Sequence, residues 1–312
     1  MTVSRALNAP EKVTPETLER VRQAVDHLGY VPNAMASGLR MSRARMVAAL
    51  LPTLTGPVFQ ELVESLASEL NRHGYQLMIG QTGYDSGHEE ALIKAVVQRR
   101  PDGIVMVGAV SSAKGRDMLR TSRIPVVETW DLPEQPVDML VGFSHKAIGA
   151  CVADFLCRKG HRHVAMITAE DERAKARAAT FKARARAMGA ESAHCFFTQA
   201  PSTLGQGRMG LRHLISQWPE ITGVFCSSDS LALGASIEAQ HCGRPVPAGL
   251  AIIGMGDQSF ARDAQPALTT VRLDGTRIGK ISADLMMARA EGRHIAEPMI
   301  DVGFKIVERE ST

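Results

Sequence analysis

From residue 46 onward the chain alternates short apolar runs with longer segments in which apolar residues recur every three or four positions. The runs at 47–51 (VAALL), 103–107 (GIVMV) and 223–226 (GVFC) contain no charged residue, as expected for strands covered on both faces. Residues 75–79, 125–128, 163–167, 195–197 and 250–253 read as further strands. Helices are expected from after Pro57 to about Arg72, over 89–98, around Met118 and Leu119, and over 150–155, 173–188, 208–217 and 231–240. This alternation predicts parallel sheets built from βαβ units. The rhythm restarts after Val141, which predicts two similar subdomains with a cleft between them. Ligands of open parallel sheets lie at the carboxyl ends of the strands.

Before Met46 the pattern is helical. TVSRALN (2–8) makes a short amphipathic helix with Thr2, Ser4 and Arg5 on its outer face. Thr14, Pro15 and Glu16 open a second helix with a hydroxyl cap, a proline in the first turn and an acid near the positive end of the dipole. Leu18, Val21, Val25 and Leu28 form its expected buried stripe, and Gly29 and Pro32 end it. Residues 33–40 read as a third short helix, weakened by Gly38; Arg40, Arg43 and Arg45 then make a basic linker. The expected domains are a helical unit over 1–45 and an α/β core over 46–312.

Bulk properties leave this picture intact. A length of 312 residues suits two or three domains. The net charge of +3 is mild, so nucleic-acid contact requires a local basic patch. No apolar run is long enough to span a bilayer, and residue 1 onward lacks the apolar core of a signal peptide, so a cytoplasmic location and no membrane partner are expected. Five scattered cysteines suit a reducing compartment.

TVSRALN, the Val13–Thr14 helix opening and LGYVPN (28–33) followed by an apolar helix resemble the DNA-binding headpiece of the lactose-repressor (LacI/GalR) family of bacterial transcription factors. Residues 158–163 (RKGHRH), 224–229 (VFCSSD) and 268–271 (LTTV) are similar to the family's periplasmic-binding-protein-like core, so the resemblance covers essentially the whole chain. It implies a helix-turn-helix headpiece, operator DNA as partner, a homodimer, and a small effector in the cleft. Thr2, Ser4, Arg5, Asn8, Lys12, Tyr30 and Asn33 are then candidate DNA contacts, with Arg5 suited to a guanine edge. Leu39 matches the residue that the family pushes into the minor groove, unstacking base steps; packing of Leu39 on its own domain is the alternative. In the family a further helix precedes TVSR, whereas here Met1 directly precedes Thr2. The headpiece is therefore expected to be partial and to bind DNA weakly, through a start assigned too late or a defective headpiece. The short tail after Glu308 favours a dimer over a tetramer.

The loops after the strands supply the expected effector contacts: Thr53, Leu54, Thr55 and Phe59, then Tyr84, then Trp130 and Asp131, then Arg173 and Arg177, and finally Ser228, Asp229 and Asp257. Arg177 matches the position where family members place an arginine on the effector; a solvated surface arginine is the alternative. Its planar fork suits a carboxylate or vicinal hydroxyls. Where the family carries a Tyr-Asp-Asp-like triplet, this chain has Met255, Gly256 and Asp257. Fewer acids and several cations favour an anionic effector. Residues 50–59 (LLPTLTGPVF) resemble most the gluconate-type repressors of the family, which implies a sugar acid such as gluconate or a ketogluconate.

Other chemistries lack support. His161 and His163 want a third metal ligand, so no metal is expected. Gly254 and Gly256 lack the third glycine of a dinucleotide fingerprint, so no cofactor is expected. No Ser/His/Asp set sits in a motif, so no catalytic residue is assigned and no enzyme activity is expected. A periplasmic-type sugar-binding protein shares the core but not TVSRALN.

Overall fold

The computed structural model describes residues 2–8, 10–30, 44–54 and 59–312. The chain divides into two units, Met1–Ala44 and Arg45–Thr312.

In the first unit α1 spans Thr2–Asn8 and α2 spans Pro15–Leu28, with a 3-10 turn at Pro10–Lys12 between them. Thr14 Oγ1 accepts from the Thr17 N–H at 3.4 Å and caps α2. Gly29 closes it with a left-handed φ of 57°, and the Tyr30 N–H returns to the Val25 carbonyl at 3.0 Å. The expected buried stripe is only partly covered. Leu18, Val21 and Val25 are half-buried, and Leu28 is 75% exposed. The 7-residue α1 is too short to cover a stripe running the length of the 14-residue α2. The helix expected over 33–40, with Asn33 and Leu39, lies outside the described residues.

The second unit begins with β1 (Met46–Leu51), α3 (Gln60–Arg72), β2 (Gln76–Gln81), α4 (Ser86–Gln98), β3 (Gly103–Val107), α5 (Ala113–Ser122), β4 (Val126–Thr129) and β5 (Met139–Gly142). It continues with α6 (His145–Arg158), β6 (His163–Ala169), α7 (Glu172–Ala187), β7 (Ser192–Thr198), α8 (Leu204–Gln217), β8 (Gly223–Cys226), α9 (Asp229–His241), β9 (Ala251–Met255) and β10 (Thr269–Arg272). Last come α10 (Gly275–Ala290), β11 (Met299–Asp301) and β12 (Lys305–Val307). One sheet has the order β11-β5-β4-β3-β1-β2 and is parallel throughout. The other has the order β12-β10-β9-β8-β6-β7, with only β12 antiparallel.

The subdomains are not two successive halves. The chain crosses between sheets after β5, again after β10 and again after β11. Helix α10 packs on α3 and beneath β4 and β5, completing the first subdomain from a distant part of the sequence. Gly279 permits this approach, because a Cβ there would lie 2.5 Å from the Leu62 carbonyl oxygen. Strands β5, β10, β11 and β12 and helix α10 have no counterpart in the elements expected from the pattern. Several helices also start earlier than expected, because side-chain caps set their ends: Asp85 for α4, Ser144 for α6, Ser228 for α9, and a Thr203–Gln206 capping box for α8.

Candidate functional site

The strand ends of the two sheets converge on a cavity of about 100 Å³. Thr53, Phe59, Tyr84 and Trp130 line it from the first subdomain. His145 enters from the first crossing, and Asp171, Arg173, Arg177, Ser202, Ser227, Ser228, Ser230 and Met255 line it from the second subdomain. Three helices begin at its border. Ser144 caps α6 through the Ala147 N–H at 3.1 Å, Asp171 caps α7 through Ala174 at 2.9 Å, and Ser228 caps α9 through Leu231 at 3.2 Å. Helix N-termini carry partial positive charge and favour anions.

Arg177 is the buried centre of the site, with 4% exposure. Its Nη1 donates to His145 Nδ1 at 2.7 Å, and Nη2 makes a long contact to Thr168 Oγ1 at 3.5 Å. The Arg177 Nε–H and a buried Nη1 of Arg173 have no hydrogen-bond acceptor among the described residues. Burial pulls the Arg177 guanidinium down to about 10, so it stays charged at neutral pH. Arg173 Nε lies 3.7 Å from Asp171 Oδ1.

Aromatic rings hold the first-subdomain wall. Trp130 packs edge-on to Phe59 at 5.1 Å and to Phe143 at 5.4 Å, and Phe143 packs edge-on to His145 at 5.0 Å. Trp130 carries a positive φ of 64°, a conformation that bulky side chains seldom adopt and that concentrates at functional sites. Burial raises the phenol pKa of Tyr84, opposed by the charge of Arg173. Burial also raises the carboxyl of Asp131, against a hydrogen bond from the Leu132 N–H at 2.8 Å and the charges of Arg173 and Arg177.

Of the residues singled out in the sequence, Thr53, Phe59, Tyr84, Trp130, Arg173, Arg177 and Ser228 line the cavity. Thr55 lies outside the described residues. Leu54 is 60% exposed, and neither Leu54 nor Asp131 is among the residues that line the cavity. Asp229 and Asp257 need correction as lining residues, because both carboxylates are taken up inside the second subdomain. Asp229 accepts from the Thr270 hydroxyl at 2.6 Å and the Gln258 N–H at 2.7 Å. Asp257 pairs with Arg272 at 3.0 Å and Arg309 at 2.6 Å. His145, Asp171, Ser227, Ser230 and Met255 were not expected. Asp171 was detectable in principle as an acid two residues before an expected helix start.

In the first unit Thr2, Arg5, Lys12 and Tyr30 are exposed, while Ala6 turns inward at 3% exposure. Ser4 and Asn8 lie on α1. His161 and His163 meet the hydroxyls of Thr222 and Ser192 at 3.1 and 3.2 Å. Among the described helices none is long and apolar enough to cross a membrane.

Residues 1–33 match the family model "Bacterial regulatory proteins, lacI family", and residues 153–312 match "Periplasmic binding protein-like domain". The chain is 31% identical over 307 residues to the HTH-type transcriptional regulator GntR of Escherichia coli strain K12, covering 98% of this chain and 92% of the relative. It is 32% identical over 319 residues to the regulator of the same name from Pseudomonas aeruginosa, covering 100% of this chain and 92% of the relative. Among solved structures, the transcription regulator GntR from Chromobacterium violaceum superimposes with a TM-score of 0.81 at 32% identity, over 85% of this chain and 98% of that one. A Lacl family transcriptional regulator from Silicibacter pomeroyi gives a TM-score of 0.93 at 28% identity, over 100% of this chain and 95% of that one.

Proposed function

We propose, from the premise that this chain belongs to the LacI family of bacterial transcriptional regulators, that a sugar acid such as gluconate or a ketogluconate binds in its cleft and controls its grip on operator DNA. The observation that carries this reading is Arg177. A buried guanidinium presents an Nε–H with no acceptor among the described residues and an Nη2–H held only at 3.5 Å, adjacent donors on one edge. That edge matches the two oxygens of a carboxylate. Three helix N-termini border the same cavity, and the acids nearest it, Asp131 and Asp171, already accept backbone N–H groups. The donors therefore await an acceptor-rich ligand. The edge-on Trp130 and Phe59 rings suit the apolar face of a sugar chain.

On the DNA side, Thr2, Ser4, Arg5, Asn8, Lys12, Tyr30, Asn33 and Leu39 are the proposed contacts, with Arg5 on the base edges. The protein acts as a homodimer, which places two headpieces on two half-sites. Exposed apolar side chains on α8 and α9, namely Leu204, Met209 and Ile237, offer surface for such a contact. The effector acts only through its different affinity for two arrangements of the subdomains, a coupling of about 1–3 kcal/mol. The proposed role is binding and release, with no catalytic residue.

Isothermal titration of the chain against gluconate, 2-ketogluconate, 5-ketogluconate and glucose tests the reading. Binding of one acid with glucose silent is expected. Binding of glucose alone, or of none of the four, overturns it.

A further inference from the structure

We propose that His145 is a positioning residue for Arg177: as the neutral Nε2–H tautomer it ties the guanidinium to the backbone of Trp130 across the first crossing between the subdomains. This rests on the reading of Arg177 as the effector clamp.

The tautomer follows from donor inventory. Arginine only donates, so the His145 Nδ1 that meets Arg177 Nη1 at 2.7 Å must be a bare acceptor. The proton is then on Nε2, which lies 3.1 Å from the Trp130 carbonyl oxygen and donates to it. A single protonation state satisfies both contacts, and neither the other tautomer nor the imidazolium does. The ring has little freedom, being 5% exposed and edge-on to Phe143 at 5.0 Å.

The positions of the linked residues give the bond its meaning. Trp130 belongs to the loop after β4 in the first subdomain, and Arg177 to α7 in the second. His145 is the first residue of α6, immediately after the crossing at Phe143 and Ser144. One imidazole thus holds Arg177 through Nη1 and leaves the Nε–H, which has no acceptor among the described residues, free for a ligand. Movement of the crossing would reach Arg177 through this ring.

The charged and titratable groups around the ring are Arg173 and Arg177 on α7, Asp171 at its cap, Asp131 after β4 and Tyr84 after β2. Burial, then the charges of Arg177 and Arg173, hold the imidazole well below its usual range. Anion binding at Arg177 would offset those charges, so protonation, not deprotonation, is the event that breaks the tie.

The side chains of asparagine and glutamine divide the two bonds. His145→Asn places an oxygen near the Nδ1 position and keeps the acceptor for Arg177. His145→Gln places its amide near the Nε2 position, where it reaches Trp130 and not Arg177. The first measurement is nitrogen-15 NMR of the ligand-free full chain, with the imidazole signal assigned by its loss in the variants. The expected result is an Nε2–H tautomer that does not titrate between pH 8 and 6, and an Arg177 Nε–H signal that shifts in His145→Gln but holds in His145→Asn. An Nδ1–H tautomer, titration near 6.5, or an Arg177 signal indifferent to both variants overturns the proposal.

The second measurement is titration with gluconate and glucose, with unfolding midpoints alongside. Gluconate affinity should fall about tenfold in His145→Gln and stay within about threefold of wild type in His145→Asn. Equal losses in both variants, in step with their stability, mean a merely structural histidine and overturn the proposal. A wild-type chain that ignores all the acids, yet gives the expected NMR result, instead overturns the sugar-acid reading and leaves the His145–Arg177 tie standing.

Discussion

Arg173, on α7 of the second subdomain, lies against Gly108, which follows β3 of the first: a Cβ at Gly108 would sit 3.1 Å from Arg173 Nη1. Gly108 also carries a φ of 106°, which side-chain-bearing residues rarely adopt. The contact brings a cation of the second subdomain against the backbone of the first. Gly108→Ala should therefore act twice. Backbone strain should lower stability by about 1–3 kcal/mol, and displacement of Arg173 should weaken acid binding. Urea midpoints read the first effect and gluconate titration the second; an unchanged midpoint would refute the strain argument.

Arg177→Ala should reduce affinity for a sugar acid about tenfold to a hundredfold, the loss expected for a charge-assisted paired hydrogen bond. Arg177→Lys keeps the charge but not the planar fork, so it should recover only part of that loss. If lysine restores full affinity, the ligand reads charge alone and the fork has no role.

Gly142 ends β5 directly behind the Trp130 loop. A Cβ there would lie 1.8 Å from the Asp131 carbonyl oxygen, a backbone atom that can yield only by moving the loop. Gly142→Ala should destabilise the chain by about 1–3 kcal/mol or more. The strained Trp130 is one residue away, so its fluorescence should shift as well. Retention of both the midpoint and the emission maximum would show that the loop is looser than its contacts imply.

Much of the core was legible because parallel strands covered on both faces have little room for polar residues. GIVMV and GVFC announce β3 and β8 residue for residue. The edges were not. β11 and β12 are three residues each, and β12 begins with Lys305. Helix α10 escaped because Gly275, Gly279 and Ser282 interrupt the large apolar residues Ile278, Leu285 and Met286 on the face it buries. The crossings are a three-dimensional fact: nothing in the pattern says that residues 275–301 return to the first sheet.

The candidate site divides in the same way. Residues that follow a strand by a few positions, such as Thr53, Tyr84 and Trp130, could be placed by strand ends alone. His145 could not, because its role depends on which partners its two ring nitrogens meet. Asp229 and Asp257 failed for the opposite reason. Both follow strands, but Thr270 and Arg309, distant in sequence, had already claimed their carboxylates.

Asp229 gives a prediction with a definite sign. Its carboxyl is fully buried, and burial raises it from 3.8 to about 6, although the Thr270 hydroxyl and the Gln258 N–H act in the opposite direction. A raised carboxyl means that the folded chain holds this proton more tightly than the unfolded chain. Between pH 4 and 6 the native state binds more protons, so this group makes stability fall as pH rises, and the loss is complete above about 6. The shift corresponds to about 3 kcal/mol at most. Asp229→Asn cannot ionise, so its stability should lack that slope. It keeps an amide oxygen for one of the two donors, and Thr270 can turn its hydroxyl to accept from the new NH2 group. Glu238 acts with the opposite sign and at lower pH, because Arg212 and Arg208 hold its carboxyl down to about 2. Its contribution is present above about 4.5, is lost as pH falls, and cancels in any comparison of Asp229→Asn with wild type. Urea midpoints at pH 4.5, 5.5 and 7.5 should therefore diverge between the two proteins, with the variant gaining relative to wild type as pH rises. Parallel curves would mean that Asp229 ionises in the folded chain as easily as in water, the Thr270 and Gln258 bonds offsetting its burial in full.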